Sequence, residues 1–202
     1  MITVEFFQNY ILIFWLLLIS PCSALEAKEI QDVPSTCLNK SGDYQRVSIP
    51  EKLARELASQ DYKRGLFLSP EWIIYKPTVF YKSSLVKLSD SVVGLIVTDA
   101  DDIPDDSKGN LIRPIGGQNR EVRIFKKNDL SSPIFDGYAQ DGEYGLVISK
   151  HKTNNVFDIC TVEHSSGSIQ VIRLYQFRST YIMSRCWIDE IGEIRHCGSA
   201  LN

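Results

Sequence analysis

No apolar run in this sequence is long enough to cross a bilayer comfortably. The longest, residues 11–19 (ILIFWLLLI), has nine residues, where a span takes ~20. Charge of either sign is not in excess. The formal net charge is -3, which gives no general attraction to nucleic acid or to an anionic membrane. Histidine is scarce, with three in the chain. Gly-x-Ser-x-Gly, His-Glu-x-x-His and a phosphate-cradling glycine loop are all missing. There is no internal repeat and no low-complexity segment. Apolar residues make up 44% and charged residues 23%. That is ordinary globular composition; it argues against disorder and suits one domain with its own core.

Basic residues are missing altogether from residues 1–24, where Glu5 is the only acid. The apolar run there is followed by Ser20-Pro21-Cys22-Ser23-Ala24. An apolar core before a small-residue site is a secretory signal pattern, with cleavage before Leu25. The segment ahead of the core, MITVEFFQNY, departs from that pattern because it lacks a base. An uncleaved anchor is the alternative. Lipid modification of Cys22 is disfavoured by Pro21, which stands where a small residue belongs. The reading is therefore a signal peptide over residues 1–24, an irregular arm over 25–47 and a single mostly-β domain over 48–202. The product is periplasmic or secreted and keeps no stable membrane span once the signal is removed. It carries 22 basic and 24 acidic groups, a formal -2.

Loss of the signal removes Cys22 and leaves four cysteines, Cys37, Cys160, Cys186 and Cys197. An even number in an exported chain reads as two disulfides, with three possible pairings. Cys186 and Cys197 flank WIDEIGEIRH, which can fold back as a hairpin around Ile191-Gly192 and bring the two side chains together. Cys37 and Cys160 would then tie the arm to the rest. A metal site from Cys160, Cys186, Cys197 and His196 is the competing reading, but the spacing has no Cys-x-x-Cys knuckle. No metal and no cofactor is assigned.

What the chain does have is a long β-forming stretch. Residues 144–197 contain five short runs rich in Val, Ile, Tyr and Phe: YGLVIS, NVFDICTVEH, SIQVIRLYQF, TYIMSRCWID and EIRHC. Asn, Ser and Gly clusters separate them, as expected for an antiparallel meander. Ile169, Val171, Tyr175 and Phe177 share one strand face, with Ile172 and Leu174 on the other. Apolar residues on both faces suggest burial between a helix and a second layer, or a sandwich.

Upstream, Ser48-Ile49-Pro50-Glu51 reads as a capping box, with Ser48 as N-cap. A stripe of Leu53, Ala54, Leu57, Ala58 and Tyr62 follows at helical spacing, and Gly65 is the stop. Ser69-Pro70-Glu71 could open a short helical turn. Val79-Phe80-Tyr81 reads as a short strand, and residues 91–98 (SVVGLIVT) as the most apolar and central one. Residues 121–127 (EVRIFKK) alternate apolar and charged residues, a half-exposed strand. Residues 132–142 read as loop. The fold class is α+β, mostly antiparallel β, with one amphipathic helix packed on a β-meander or sandwich.

The most unusual local feature is the acidic group Asp99, Asp101, Asp102, Asp105 and Asp106. Ile103 and Pro104 break the alternation a calcium loop needs, and Gly109 is out of phase. Three readings stay open: a solvated loop, a docking loop that enters a cationic cleft on a partner, and a divalent-cation site. His151, His164 and His196 are the catalytic candidates of a secreted hydrolase. Glu163 and His164 are adjacent on a strand, however, so they point to opposite faces and cannot pair. No catalytic residue is assigned. The expectation is an exported, non-catalytic binding protein. It would sequester or inhibit a protein partner, as immunity and inhibitor proteins of the bacterial envelope do. A secreted hydrolase, or a structural or adhesive surface component, is the alternative.

Overall fold

A computed structural model describes Cys37 and residues 44–65, 76–100 and 119–197. They form ten strands, one α-helix and two short 3-10 turns. The strands make two five-stranded antiparallel sheets, each a meander in sequence order. The first joins β1 (Gln45–Val47), β2 (Tyr81–Lys87), β3 (Val93–Asp99), β4 (Asn119–Lys126) and β5 (Phe135–Gln140). The second joins β6 (Leu146–Thr153), β7 (Val156–Ser166), β8 (Ile169–Phe177), β9 (Tyr181–Glu190) and β10 (Glu193–His196). Helix α1 (Glu51–Lys63) lies between β1 and β2 in sequence. The class is thus mostly antiparallel β with one helix.

The helix begins later than the capping box implied. Its N-cap is Pro50, with no side-chain capping bond. The Pro50 carbonyl accepts the first helical bond, from the Ala54 amide at 3.0 Å. Ser48 lies two residues upstream of that cap. The stop is as the sequence suggests: Gly65 sits at φ +77 and its amide donates to the Tyr62 carbonyl at 2.9 Å. Only a residue without a Cβ adopts that left-handed conformation cheaply.

Two other local readings are corrected. The segment Pro77–Phe80 is a 3-10 turn, and the strand starts at Tyr81, where pairing with Asp99 begins. Pro77 fixes φ and supplies no amide, which suits the first position of a turn rather than a ladder. Within residues 132–142, Phe135–Gln140 is a strand rather than loop. Gly137 does not break it. A Cβ there would stand 2.7 Å from Cζ of Phe135, so the glycine makes room for that ring.

The second sheet follows its turn residues closely. Asn154 and Asn155 both have positive φ (54 and 62), as do Ile191 and Gly192 (54 and 86). Two-residue hairpins of this type match the twist of the strands they join. The sheet carries both disulfides. Cys37–Cys160 spans a sequence separation of 123 with Cα atoms 5.5 Å apart. Cys186–Cys197 bridges β9 and the end of β10, with Cα atoms 5.4 Å apart.

Two apolar clusters hold the layers. One draws on both sheets, including Val86, Ile96, Val122, Ile124 and Phe135 from the first and Leu146, Ile148, Ile159 and Phe177 from the second. The other puts Leu53, Ala54, Leu57 and Ala58 of α1 against Leu95, Val97 and Phe125, on the opposite face of the first sheet. Strands β3 and β4 are therefore covered on both faces, so the half-exposed reading of EVRIFKK is wrong. Its apolar face meets the second sheet and its charged face lies under the helix. The sheets also meet through the backbone. The Phe157 amide donates to the Leu88 carbonyl at 2.8 Å and the Tyr181 amide to the Ile134 carbonyl at 2.8 Å. Where the chain crosses between them, a Cβ at Gly145 would stand 2.5 Å from the Gln140 backbone N and O and 2.8 Å from the Val162 O.

Candidate functional site

Burying the charged face of β4 creates the densest cluster of titratable groups among the described residues. Asp61 takes the fifth position of the helix's inward stripe and is 0% exposed. Tyr62, expected in that stripe, is 42% exposed instead. Beneath the helix, the buried Arg123 donates to Asp61 at 3.0 Å and to Glu121 at 2.5 Å. Tyr81 donates its hydroxyl to the other Asp61 oxygen at 2.7 Å. Arg64, just past the helix end, forks onto both Glu121 oxygens at 2.9 and 3.0 Å. Asp136 completes the group, 3.7 Å from Arg123 Nε and half exposed.

The electrostatics follow from geometry. Burial by itself would lower the Arg123 pKa, but the charges of Asp61 and Glu121 outweigh it and raise it above the ordinary value. Arg64 behaves alike: burial opposes, and the Glu121 hydrogen bond and charge prevail. Burial pushes the Asp136 carboxyl up, against the opposing pull of Arg123. Asp61, Glu121 and Arg123 are thus held by one another. Removing one would strand a buried charge.

The network surfaces at one place. Tyr138 is 50% exposed and pairs across the ladder with Glu121, on the strand face that carries Asp136. Arg64 is 43% exposed while gripping Glu121. An exposed tyrosine, an arginine and a carboxylate therefore rim a fully bonded interior. Tyr and Arg supply large contact area and planar, multidentate hydrogen bonding at low rotamer cost.

The candidates drawn from the sequence do not converge here. Asp99 is half-buried at the end of β3, opposite Tyr81. Asp101, Asp102, Asp105 and Asp106 lie outside the described residues. The three histidines are apart. His151 is at the β6 irregularity, His164 is six residues beyond Asp158 on β7, and His196 is on β10 beside Trp187, with ring centroids 5.7 Å apart. Glu163 pairs with Arg173, not with His164. The His164 backbone is held from both sides by Asn119, whose side-chain oxygen accepts its N–H at 2.7 Å while its amide donates to its C=O at 2.6 Å. Cys160, Cys186 and Cys197 are each in a disulfide, so the metal reading of these residues fails. Among the described residues no three His, Cys, Asp or Glu side chains group as a metal site, and no helix is long and apolar enough to cross a membrane.

The fold and rim together define a disulfide-linked, two-sheet β protein with one helix clamped by ions. No known protein family, no curated protein and no solved structure matches the chain.

The sequence reading missed Asp61, Glu121, Arg123 and Tyr138. One signal was available. Asp61 follows Leu53, Leu57 and Ala58 at helical spacing, so it falls on the apolar stripe. Glu121 and Arg123 alternate with Val122 and Ile124. A carboxylate on an inward stripe and two charges on one face of a strand together ask for a buried pairing.

Proposed function

We propose that this chain is an exported binding protein, without catalytic activity, that sequesters or inhibits a protein partner through the rim of Arg64, Asp136 and Tyr138. The observation that carries this is the pairing of exposed aromatic and guanidinium groups with a rigid, internally satisfied base. A rim held in place loses little side-chain entropy on binding, which favours affinity. The two disulfides support an oxidising compartment, periplasmic or extracellular, and with it removal of residues 1–24 as a signal peptide. In this reading the two sheets pack face to face as a sandwich around their shared apolar cluster, and α1 forms an outer layer that presents the rim. The acidic group from Asp99 to Asp106 would steer encounter rather than anchor the complex.

The test is affinity capture from the oxidising compartment of the native host. Three baits are compared: wild type, Tyr138→Ala, and a variant with the five aspartates changed to Asn. The expected result is a stoichiometric partner retained by wild type and lost by the tyrosine variant. The Asn variant should keep it but bind more slowly at low salt. A partner held equally by all three baits would overturn the assignment to the rim. A clean, partnerless wild-type chain would overturn the binding role.

A further inference from the structure

A second surface lies on the second sheet, at the tip of the β9–β10 hairpin. Glu190 pairs with Glu193, so Ile191 and Gly192 alone make the turn. Both have positive φ, 54 and 86. Turns of this kind favour Asn, Asp and Gly, whose backbone enters the left-handed region at little cost. The chain follows that preference at the β6–β7 hairpin, where Thr153 pairs with Val156 and the turn is Asn154-Asn155. At the β9–β10 tip it does not. A β-branched side chain crowds its own backbone at such a φ and is a conformational outlier there.

Burial does not offset that strain. Ile191 is 82% exposed, the most exposed large apolar side chain among the described residues, and it belongs to neither apolar cluster. The hairpin that carries it is nonetheless tied along its length. Cys186–Cys197 closes its base, where the Cys197 amide also donates to the Cys186 carbonyl at 3.0 Å. Arg195 donates to Glu190 at 3.1 Å. At the tip, the Gly192 amide donates to the Asp189 carboxylate at 2.9 Å. A strained residue persists where its surroundings over-determine it, and such residues gather at functional sites. The charge beside the tip is acidic: Asp189, Glu190 and Glu193 flank Ile191, and Arg195 is the one base between residues 189 and 195.

We propose that Ile191 is an insertion residue, which the hairpin tip presses into an apolar socket on a protein partner, with Lys or Arg around the mouth of that socket. The isoleucine is the anchor, and desolvating it in a fitted pocket supplies the affinity. The acids around it meet the basic mouth, which selects the partner and speeds encounter. The tied hairpin holds the anchor ready, so little conformational freedom is lost on binding. A membrane surface fits less well: its anionic lipids would meet three acids, and one isoleucine is a small share of the apolar area that interfacial binding uses. This contact is separate from the rim and stands whether or not the rim binds.

The experiment has two readouts on the full chain with its disulfides formed. The first needs no partner. Ile191→Asn should raise the urea midpoint, because Asn enters the left-handed region more easily than a β-branched residue does. A midpoint that is unchanged or lower would overturn the proposal, since isoleucine would then suit the fold on its own account. The second readout is photocrosslinking. A chain with a diazirine amino acid in place of Ile191 is irradiated in a detergent extract of the oxidising compartment of the native host. It is irradiated separately with vesicles of phosphatidylethanolamine and phosphatidylglycerol. The expected result is one protein adduct and no lipid adduct. Unlabelled wild type and Ile191→Val should both compete for it. Ile191→Asn should need a roughly tenfold or greater excess, the loss of one buried aliphatic side chain. Competition by Ile191→Asn equal to that by wild type would overturn the proposal. So would an adduct with lipid in place of protein, or no adduct at all.

Discussion

The two sheets have the same strand count and the same meander order, yet they are held by different devices. The first has no disulfide among its described residues. It is pinned by a helix whose inner face is apolar along most of its length and ionic at its end, where Asp61, Arg123, Glu121 and Arg64 lock together. The second is not covered by α1. It relies on tight hairpins and on two covalent links. Charge holds one region and sulfur the other. Buried ions need every partner in place, while a disulfide acts largely through the unfolded chain. The shared apolar cluster then joins two halves with unlike weaknesses.

The difference can be broken from either side. Arg123→Met removes the centre of the network and leaves Asp61 and Glu121 buried without their partner. The expected cost is about 3–5 kcal/mol in urea denaturation. Joint replacement with Asp61→Leu and Glu121→Leu should recover most of it, because the penalty comes from stranded charge rather than from a lost bond. Replacing both Cys37 and Cys160 by Ala should cost ~2–4 kcal/mol relative to wild type under oxidising conditions and nothing relative to wild type under reducing ones, where both proteins also lose Cys186–Cys197. An equal effect of thiol reductant on this double variant and on wild type would refute that. Gly145→Ala attacks the junction itself. Its Cβ would overlap backbone atoms, which cannot swing aside as a side chain can, and an expected loss of about 1–3 kcal/mol should appear as a lower midpoint.

The smallest effect is electrostatic and distinguishes the sheets by pH. Asp136 in the first and Asp158 in the second are both raised by burial. An acid with a raised folded pKa binds its proton more tightly when folded. Its contribution to stability is present below the unfolded value of about 4 and is lost as pH rises through the folded one. Asp136→Asn and Asp158→Asn should each flatten the decline of the wild-type urea midpoint over that window. Midpoints that run parallel to wild type across it would show that neither carboxyl is shifted.

Sheet two was the more legible in sequence. Its strands alternate with Asn, Ser and Gly turns, and its hairpins are local, so each run and each reversal can be read within about ten residues. The first sheet depends on contacts between distant segments. The ion network joins residue 61 to residues 121 and 123, and no local pattern states that a charged strand face will be roofed by a helix. Glu121 and Arg123 therefore read as solvent-facing. Residues 132–142 read as loop, and the reason for Gly137, room for the ring of Phe135 two residues earlier on the same strand, has no signature in the sequence pattern. The acidic group drew notice through composition alone, whereas the rim is assembled from α1, β4 and β5 and has no linear signature.

Native-state hydrogen exchange in Arg123→Met and in the Cys37/Cys160 double variant tests most directly whether the two devices are separable. The account predicts that Arg123→Met speeds exchange in the last turn of α1 and in β4 while β6 to β9 stay protected. The cysteine variant should do the reverse. If either change instead raises exchange uniformly across both sheets, the halves open as one unit and the distinction between an ionic and a covalent region is wrong.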